Sequence, residues 1–289
     1  MALVNRRKMV PIFALLVFSG ATATSAPPFS ATASSASSAS PEPMDQKSKD
    51  SNLTILYDNN RFDTRLKTEW GFSCLVRGLG KTILFDTGGD AGALLFNMRQ
   101  LGIKPAEVDT IVLSHIHGDH TGGLAGFLRE KSDVLVHLPR SFPESFKKAV
   151  RSFGAQVEEV SEAQRLFPGA YTTGELGDEI REQALALKTR EGLVVVTGCA
   201  HPGVVSMVRK ARDITGEDRV YLVIGGFHLA GEVPSQIESI AREFRLISVR
   251  KVAPCHCSGD GTRNVFRRRF GPDYIESGVG KIITLPTME

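Results

Sequence analysis

Several things are scarce in this chain of 289 residues, and each scarcity narrows what it can be. Charge of one sign is the first. The formal net charge of +3 is carried by Arg6, Arg7 and Lys8 alone, because the remaining 32 basic residues are matched by 32 acidic ones. A body with no basic excess has little electrostatic means of holding nucleic acid, so no nucleic acid is expected as a partner. Long apolar runs are also missing: the stretch 9–18 falls short of the roughly 20 residues that cross a bilayer, so no stable membrane anchor is expected. No repeat of fixed period runs through the chain, which argues against a solenoid. There is one tryptophan, Trp70, and there are four cysteines. Three of these, Cys199, Cys255 and Cys257, lie beside histidines and only Cys74 is remote, which suggests packing or supporting roles more than a disulfide framework. A bridge between Cys255 and Cys257 would close a strained small ring.

What is present is ordinary globular material, 42% hydrophobic and 23% charged, with enough apolar residues for a sizeable core. Residues 1–26 have the order of a signal peptide: Arg6-Arg7-Lys8, an apolar block, then small residues up to Ala26. Export to a periplasm or the exterior is the expectation, with an uncleaved anchor or a transit peptide as alternatives. Residues 27–52 are rich in Ser, Ala and Pro and read as a disordered linker. The folded domain is expected at 53–289.

Within it, apolar runs alternate with helical patterns. Residues 53–57, 72–76, 82–85, 110–113, 134–137, 193–196, 220–224 and 282–285 read as strands. Residues 91–101, 143–153, 202–214, 235–244 and 262–270 read as helices, with Pro202 in a first turn and Gly216 as a terminator. Short turns join the early strands and helices join the later ones, so a mixed sheet arrangement covered by helices is expected.

Histidine placement points to chemistry. Six of the seven histidines follow directly on apolar strands: His115, His117 and His120, then His201, His228 and His256; His137 lies elsewhere. Strand ends converge on a sheet edge, and neutral imidazoles with a carboxylate are a ligand set that zinc favours. Three histidines and Asp119 within six residues are expected to aim at one point, with Gly118, Gly122 and Gly123 supplying backbone freedom.

The stretch Ser114-His115-Ile116-His117-Gly118-Asp119-His120-Thr121-Gly122-Gly123, with Leu84-Phe85-Asp86-Thr87-Gly88 upstream, resembles the HxHxDH motif and supporting turn of the metallo-β-lactamase superfamily. The resemblance extends from Leu53 to the C-terminus. Glu69-Trp70-Gly71-Phe72-Ser73, Thr197-Gly198-Cys199-Ala200-His201-Pro202-Gly203, Gly225-Gly226-Phe227-His228-Leu229 and Pro254-Cys255-His256-Cys257-Ser258-Gly259 are similar to a branch that includes the 7,8-dihydropterin-6-methyl-4-(β-D-ribofuranosyl)aminobenzene-5'-phosphate synthases and metal-dependent hydrolases. The resemblance implies an α+β fold, a four-layered αββα sandwich with metals at one edge. It implies that His115, His117 and His201 hold one metal and Asp119, His120 and His256 the other, zinc first, with manganese or iron as alternatives. The family's bridging aspartate has no counterpart in the stretch 225–228, where His228 is the natural substitute.

The function so implied is a metal-dependent hydrolase in which two metals activate water and Asp119 orients it. The substrate is expected to be a small molecule: a phosphoester, a lactone or a pterin-type compound. A dihydropterin phosphate synthase-like activity, or a non-hydrolytic binding or redox protein on the same scaffold, are the alternatives. Asp86 is expected to hold a ligand imidazole or its loop. Trp70 and Glu175 are candidates for substrate contact, against core packing for the first and turn capping for the second. Alternation along 255–257 would point both cysteines away from the direction of His256. Arg267, Arg268 and Arg269 read as a solvated helix face.

Overall fold

The computed structural model describes residues 51–287; the expected signal peptide and all but the last two residues of the expected linker lie outside the described residues. Two sheets form the centre. The first runs β13(Ile282–Thr284)–β1(Asn52–Asp58)–β2(Phe72–Arg77)–β3(Ile83–Phe85)–β4(Thr110–Val112)–β5(Leu135–Pro139)–β6(Gln156–Val160). The second runs β12(Val249–Cys255)–β11(Val220–Gly226)–β10(Gly192–Thr197)–β9(Leu185–Thr189)–β8(Ala170–Thr172)–β7(Gln164–Phe167). Both follow one plan. Antiparallel strands come first, β1 to β3 and β7 to β10; parallel strands follow, β3 to β6 and β10 to β12.

The strands read as unbroken apolar runs because they are buried on both faces. In β2, Phe72, Cys74 and Val76 point between the sheets while Leu75 points outward under helices. In β10, Val194 and Val196 face the same interior and Leu193 and Val195 the opposite side. This period of two yields three apolar layers. The inner one unites Ile55, Phe85 and Val112 with Leu185, Leu222 and Ala253. The outer layer on the first sheet is closed by α1(Ala91–Gln100), α3(Leu124–Glu130) and α4(Glu144–Ser152), with α2(Gly118–Thr121) at the sheet's edge. The outer layer on the second is closed by α5(Val204–Thr215), α6(Pro234–Leu246) and α7(Gly259–Phe270), whose Phe244 and Phe266 pack against Phe227, with Phe270 stacked on Phe266. The result is the expected four-layered αββα sandwich. Among the described residues, no helix is long and apolar enough to cross a membrane.

Local signals explain several boundaries. The Asp90 carboxylate accepts the Ala93 N–H at 2.8 Å and starts α1. Gly216 ends α5 in the left-handed region at φ 65°. Pro202, expected in the first turn of α5, stands before it: Ala200 at φ 62° makes a tight turn in which the Gly203 N–H reaches the Ala200 carbonyl at 2.9 Å, and the helix starts only at Val204. The strands β6 to β9 and the helices α2 and α3 went unread, since sequences such as Gln-Val-Glu-Glu-Val on an edge strand carry little apolar pattern.

Candidate metal centre

Every histidine of the expected set stands just beyond the C-terminal end of a parallel strand: β4 leads to His115, His117 and His120, β10 to His201, β11 to His228 and β12 to His256. Such strand ends leave backbone groups free of ladder bonding, which is why open α/β sheets gather ligands there. The backbone is also strained. Five non-glycine described residues adopt positive φ, and four of them lie here: Asp86 (53°), Ala200 (62°), His228 (51°) and His256 (48°). Such angles cost energy and persist where surrounding structure enforces them.

Asp86 does much of that enforcing. Fully buried after β3, it accepts the Ser114 N–H and the Ser114 hydroxyl at 2.7 Å each and the His120 Nδ1–H at 2.7 Å. The carboxylate thereby sets the His120 tautomer and leaves Nε2 as a lone pair facing the centre. Burial opposes charge on His120, but Asp86 and Asp119 outweigh it, and its pKa is raised. His115, buried among other imidazoles, is held far below its ordinary range and stays neutral. Burial, then His228 and His117, draws His201 down to about 4. Asp119 falls to about 2: burial would raise it, but the neighbouring imidazoles of His256 and His120 prevail.

Gly122 and Gly123 were expected to supply unusual backbone angles. Instead both have ordinary helical φ, −65° and −75°, and their role is close approach. A Cβ on Gly122 would lie 2.2 Å from the Gly89 carbonyl oxygen, and one on Gly123 2.1 Å from that of Thr87. Lacking side chains, they seat the histidine helix on the Asp86 turn.

A second buried carboxylate, Glu182, escaped sequence reading. Its Oε1 accepts the N–H groups of Gly198 (3.1 Å), Cys199 (2.9 Å) and Ala200 (2.9 Å), and its Oε2 accepts that of His201 (2.9 Å). Burial pushes its pKa up, and these donors only partly offset that. Next to it, Gln183 donates from its backbone N–H to the Ser114 carbonyl (3.0 Å) and from Nε2 to that of Leu113 (2.8 Å). Two adjacent residues therefore hold the β4 and β10 loops together. Asn59 was also missed: its Oδ1 accepts His256 Nδ1–H at 3.0 Å, and its amide donates to the His256 carbonyl at 3.4 Å.

Two donor sets result. One comprises His115, His117 and His201, whose ring centroids are 4.8, 4.9 and 4.9 Å apart; His201 Nε2 is buried with no hydrogen-bond partner. The other comprises Asp119, His120 and His256, joined by Cys199. His256 Nε2 lies 3.2 Å from Asp119 Oδ2 and 3.3 Å from His120 Nε2, and His120 Nε2 lies 3.6 Å from Asp119 Oδ2. Both Nδ1 atoms are engaged as donors, to Asp86 and Asn59, so two imidazole lone pairs and a carboxylate oxygen face one another at close range. A proton or a metal cation held among them relieves that repulsion. The edges also match the ~3.4 Å separation of ligands arranged tetrahedrally at zinc bond lengths. The residues present therefore fit a divalent metal in each set.

His228 approaches His201, ring centroids 4.3 Å apart, and joins a third donor group with His201 and Cys199. Trp70 is 58% exposed with its ring 4.8 Å from that of His256, so it lines the rim of the centre and is not core. Glu175 is engaged elsewhere: it accepts the Ser141 N–H at 2.6 Å and pairs with Arg181 at 3.6 Å, the capping alternative. Arg267, Arg268 and Arg269 pair with Glu276 and Glu238 on the surface. All four cysteines are free and buried. Only one of the two flanking His256 turns away as expected: Cys255 lies toward Asp58, whereas Cys257 Sγ donates to the Cys199 carbonyl at 3.7 Å and lies toward His228. The positive φ of His256 breaks the strand alternation on which the expectation for Cys257 rested.

With this geometry in hand, comparisons with known proteins agree on its kind. The family model for the metallo-beta-lactamase superfamily matches residues 71–213. The 7,8-dihydropterin-6-methyl-4-(beta-D-ribofuranosyl)-aminobenzene-5'-phosphate synthase of Methanocaldococcus jannaschii is 34% identical, the match covering 80% of this chain and 95% of that protein. A ribonuclease Z of Nanoarchaeum equitans is 35% identical over 91 residues, 29% of this chain and 28% of its own length. Among solved structures, a metal-dependent hydrolase of the beta-lactamase superfamily is similar with TM-score 0.69 and 27% identity, covering 82% of this chain and 99% of that one.

Proposed function

The chain belongs to the metallo-β-lactamase superfamily, and from that premise we propose that it is a hydrolase working through two divalent metals, zinc in the first place. His115, His117 and His201 would hold one, and Asp119, His120 and His256 the other. Metals bound there supply Lewis acidity, which lowers the pKa of water toward neutrality and polarises a carbonyl or phosphoryl oxygen. The observation that carries the reading is the convergence of imidazole lone pairs with the Asp119 carboxylate, 3.2 to 3.6 Å apart.

The chain's own residues supply positioning. Asp86 and Asn59 fix the tautomers of His120 and His256, so that both present lone pairs. Asp119 points Oδ2 at the same place as the His120 and His256 lone pairs, and its other oxygen serves to orient a water and take its proton. Trp70, exposed at the rim beside His256, offers a flat apolar face to the substrate. A phosphoester, a lactone or a pterin-type compound suits these features. The exposed tryptophan, together with the 34% identity to the dihydropterin synthase, supports a second reading in which the centre acts on a pterin-bearing phosphate.

The test is a screen of metal-quantified protein against phosphodiesters, lactones, thioesters, cyclic amides and a dihydropterin phosphate. Turnover lost in His117→Ala is the expected result. A protein carrying two metals per chain that turns over none of these would overturn the proposal and favour a binding role.

A further inference from the structure

The family's bridging carboxylate has no counterpart in this chain, and the structure offers a reason. Gly225 and Gly226 end β11 with their α-carbons packed onto the β10 loop. A Cβ on Gly225, whose φ is 125°, would stand 2.0 Å from the Thr197 carbonyl oxygen; one on Gly226 would stand 2.4 Å from that of Gly198 and 2.6 Å from Cys257 Sγ. Neither position can carry a carboxylate. The space is taken by the Gly198–Ala200 loop, drawn in by Glu182, and the side chain this loop presents to the centre is Cys199.

We propose that Cys199 is a metal ligand, its thiolate completing the Asp119, His120 and His256 set where the carboxylate is missing; the inference rests on the metal-centre reading above. Cys199 Sγ lies 3.2 Å from His120 Nε2, close to the ~3.5 Å expected between nitrogen and sulfur on one tetrahedral zinc. It belongs to two donor groups, one with Asp119, His120 and His256 and one with His201 and His228. With Cys199 the first of these has four ligands, two nitrogens, one oxygen and one sulfur, whereas the three-histidine set keeps an open position. Water and substrate then meet at His115, His117 and His201, and the thiolate-bearing set is the closed one. Binding releases one proton from the Cys199 thiol, and sulfur ligation favours zinc or cobalt over manganese or magnesium.

The full chain, stripped of metal and titrated with cobalt(II), gives the test. The expected result is two cobalt ions per chain and a near-ultraviolet thiolate-to-cobalt charge-transfer band in the native protein. The band persists in Cys257→Ser and vanishes in Cys199→Ser, where affinity for one of the two ions falls more than about tenfold. Two bound cobalt ions with no band, or a band that survives Cys199→Ser, overturn the ligand assignment and leave the metal centre standing. Failure to bind cobalt at all overturns both. Should Cys199→Ser not fold, X-ray absorption of zinc-loaded native protein and of Cys257→Ser decides the matter: each is expected to show a sulfur neighbour at about 2.3 Å, and its absence from either refutes the assignment.

Discussion

Replacing Glu182 should reveal how firmly the centre depends on one buried side chain. Its carboxylate accepts four consecutive backbone N–H groups, from Gly198 to His201, at 2.9 to 3.1 Å. Hydrogen bonds to a charged acceptor contribute about 1.5–3 kcal/mol each, so the gross contribution is on the order of 8 kcal/mol. Burying the charge takes back several kcal/mol. The net loss in Glu182→Ala is therefore about 3–5 kcal/mol, a large share of the roughly 5–15 kcal/mol that holds a domain folded. Glu182→Gln is gentler. Its amide oxygen can keep the three bonds made by Oε1, while its nitrogen confronts the His201 N–H, a loss of about 2 kcal/mol. Because the lost bond is the one at His201, metal retention should fall more than stability does. Urea unfolding at neutral pH, paired with metal content after dialysis against a weak chelator, measures both effects. A Glu182→Gln protein within about 0.5 kcal/mol of the native one, with full metal content, would refute the view that this carboxylate shapes the ligand loop.

Asp86→Asn should weaken metal binding by about 10- to 100-fold, because the amide no longer fixes His120 and Ser114 as the carboxylate does; a competitive chelator titration checks it. Trp70→Ala should raise KM severalfold while changing kcat and stability little, as befits an exposed rim residue; equal loss in kcat and kcat/KM would contradict that role. His137, buried on β5 with Nδ1 unpartnered, has its pKa drawn to about 4 by burial and then by Lys81. The unfolded chain binds that proton more readily, so its contribution is intact above about pH 6.5 and is lost as pH falls toward 4, by up to about 3 kcal/mol. The urea midpoint of the native protein should fall more than that of His137→Leu as pH drops from 7 to 5, and parallel profiles would sink the idea.

The residues that could be read from sequence were those whose signal is local. Strands buried on both faces announce themselves as apolar runs, and the cluster from His115 to His120 is dense enough to stand out from any core histidine. Glu182 and Asn59 were illegible because their work is done across the fold: the first sits in a polar stretch that reads as a solvated loop, the second in an Asp-Asn-Asn turn. Their partners lie 16 to 19 and 197 residues away. Cys199 shows the same limit. Its neighbour His201 could be assigned by resemblance, but whether the thiol faces inward depends on the Ala200 turn at φ 62° and on Glu182. Gly122 and Gly123 were noticed for the wrong physical reason, since crowding by the Asp86 turn cannot be seen in one dimension.

The shared plan of the two sheets bears on how the protein is assembled. His115, His117, Asp119 and His120 come from the first sheet, and Cys199, His201, His228 and His256 from the second, so neither half can bind metal in the proposed way alone. Metals held in that way would be rivets set across a seam, in place only when the two leaves have closed in register. Their loss should loosen the rim of the seam before it disturbs the apolar interior between the leaves.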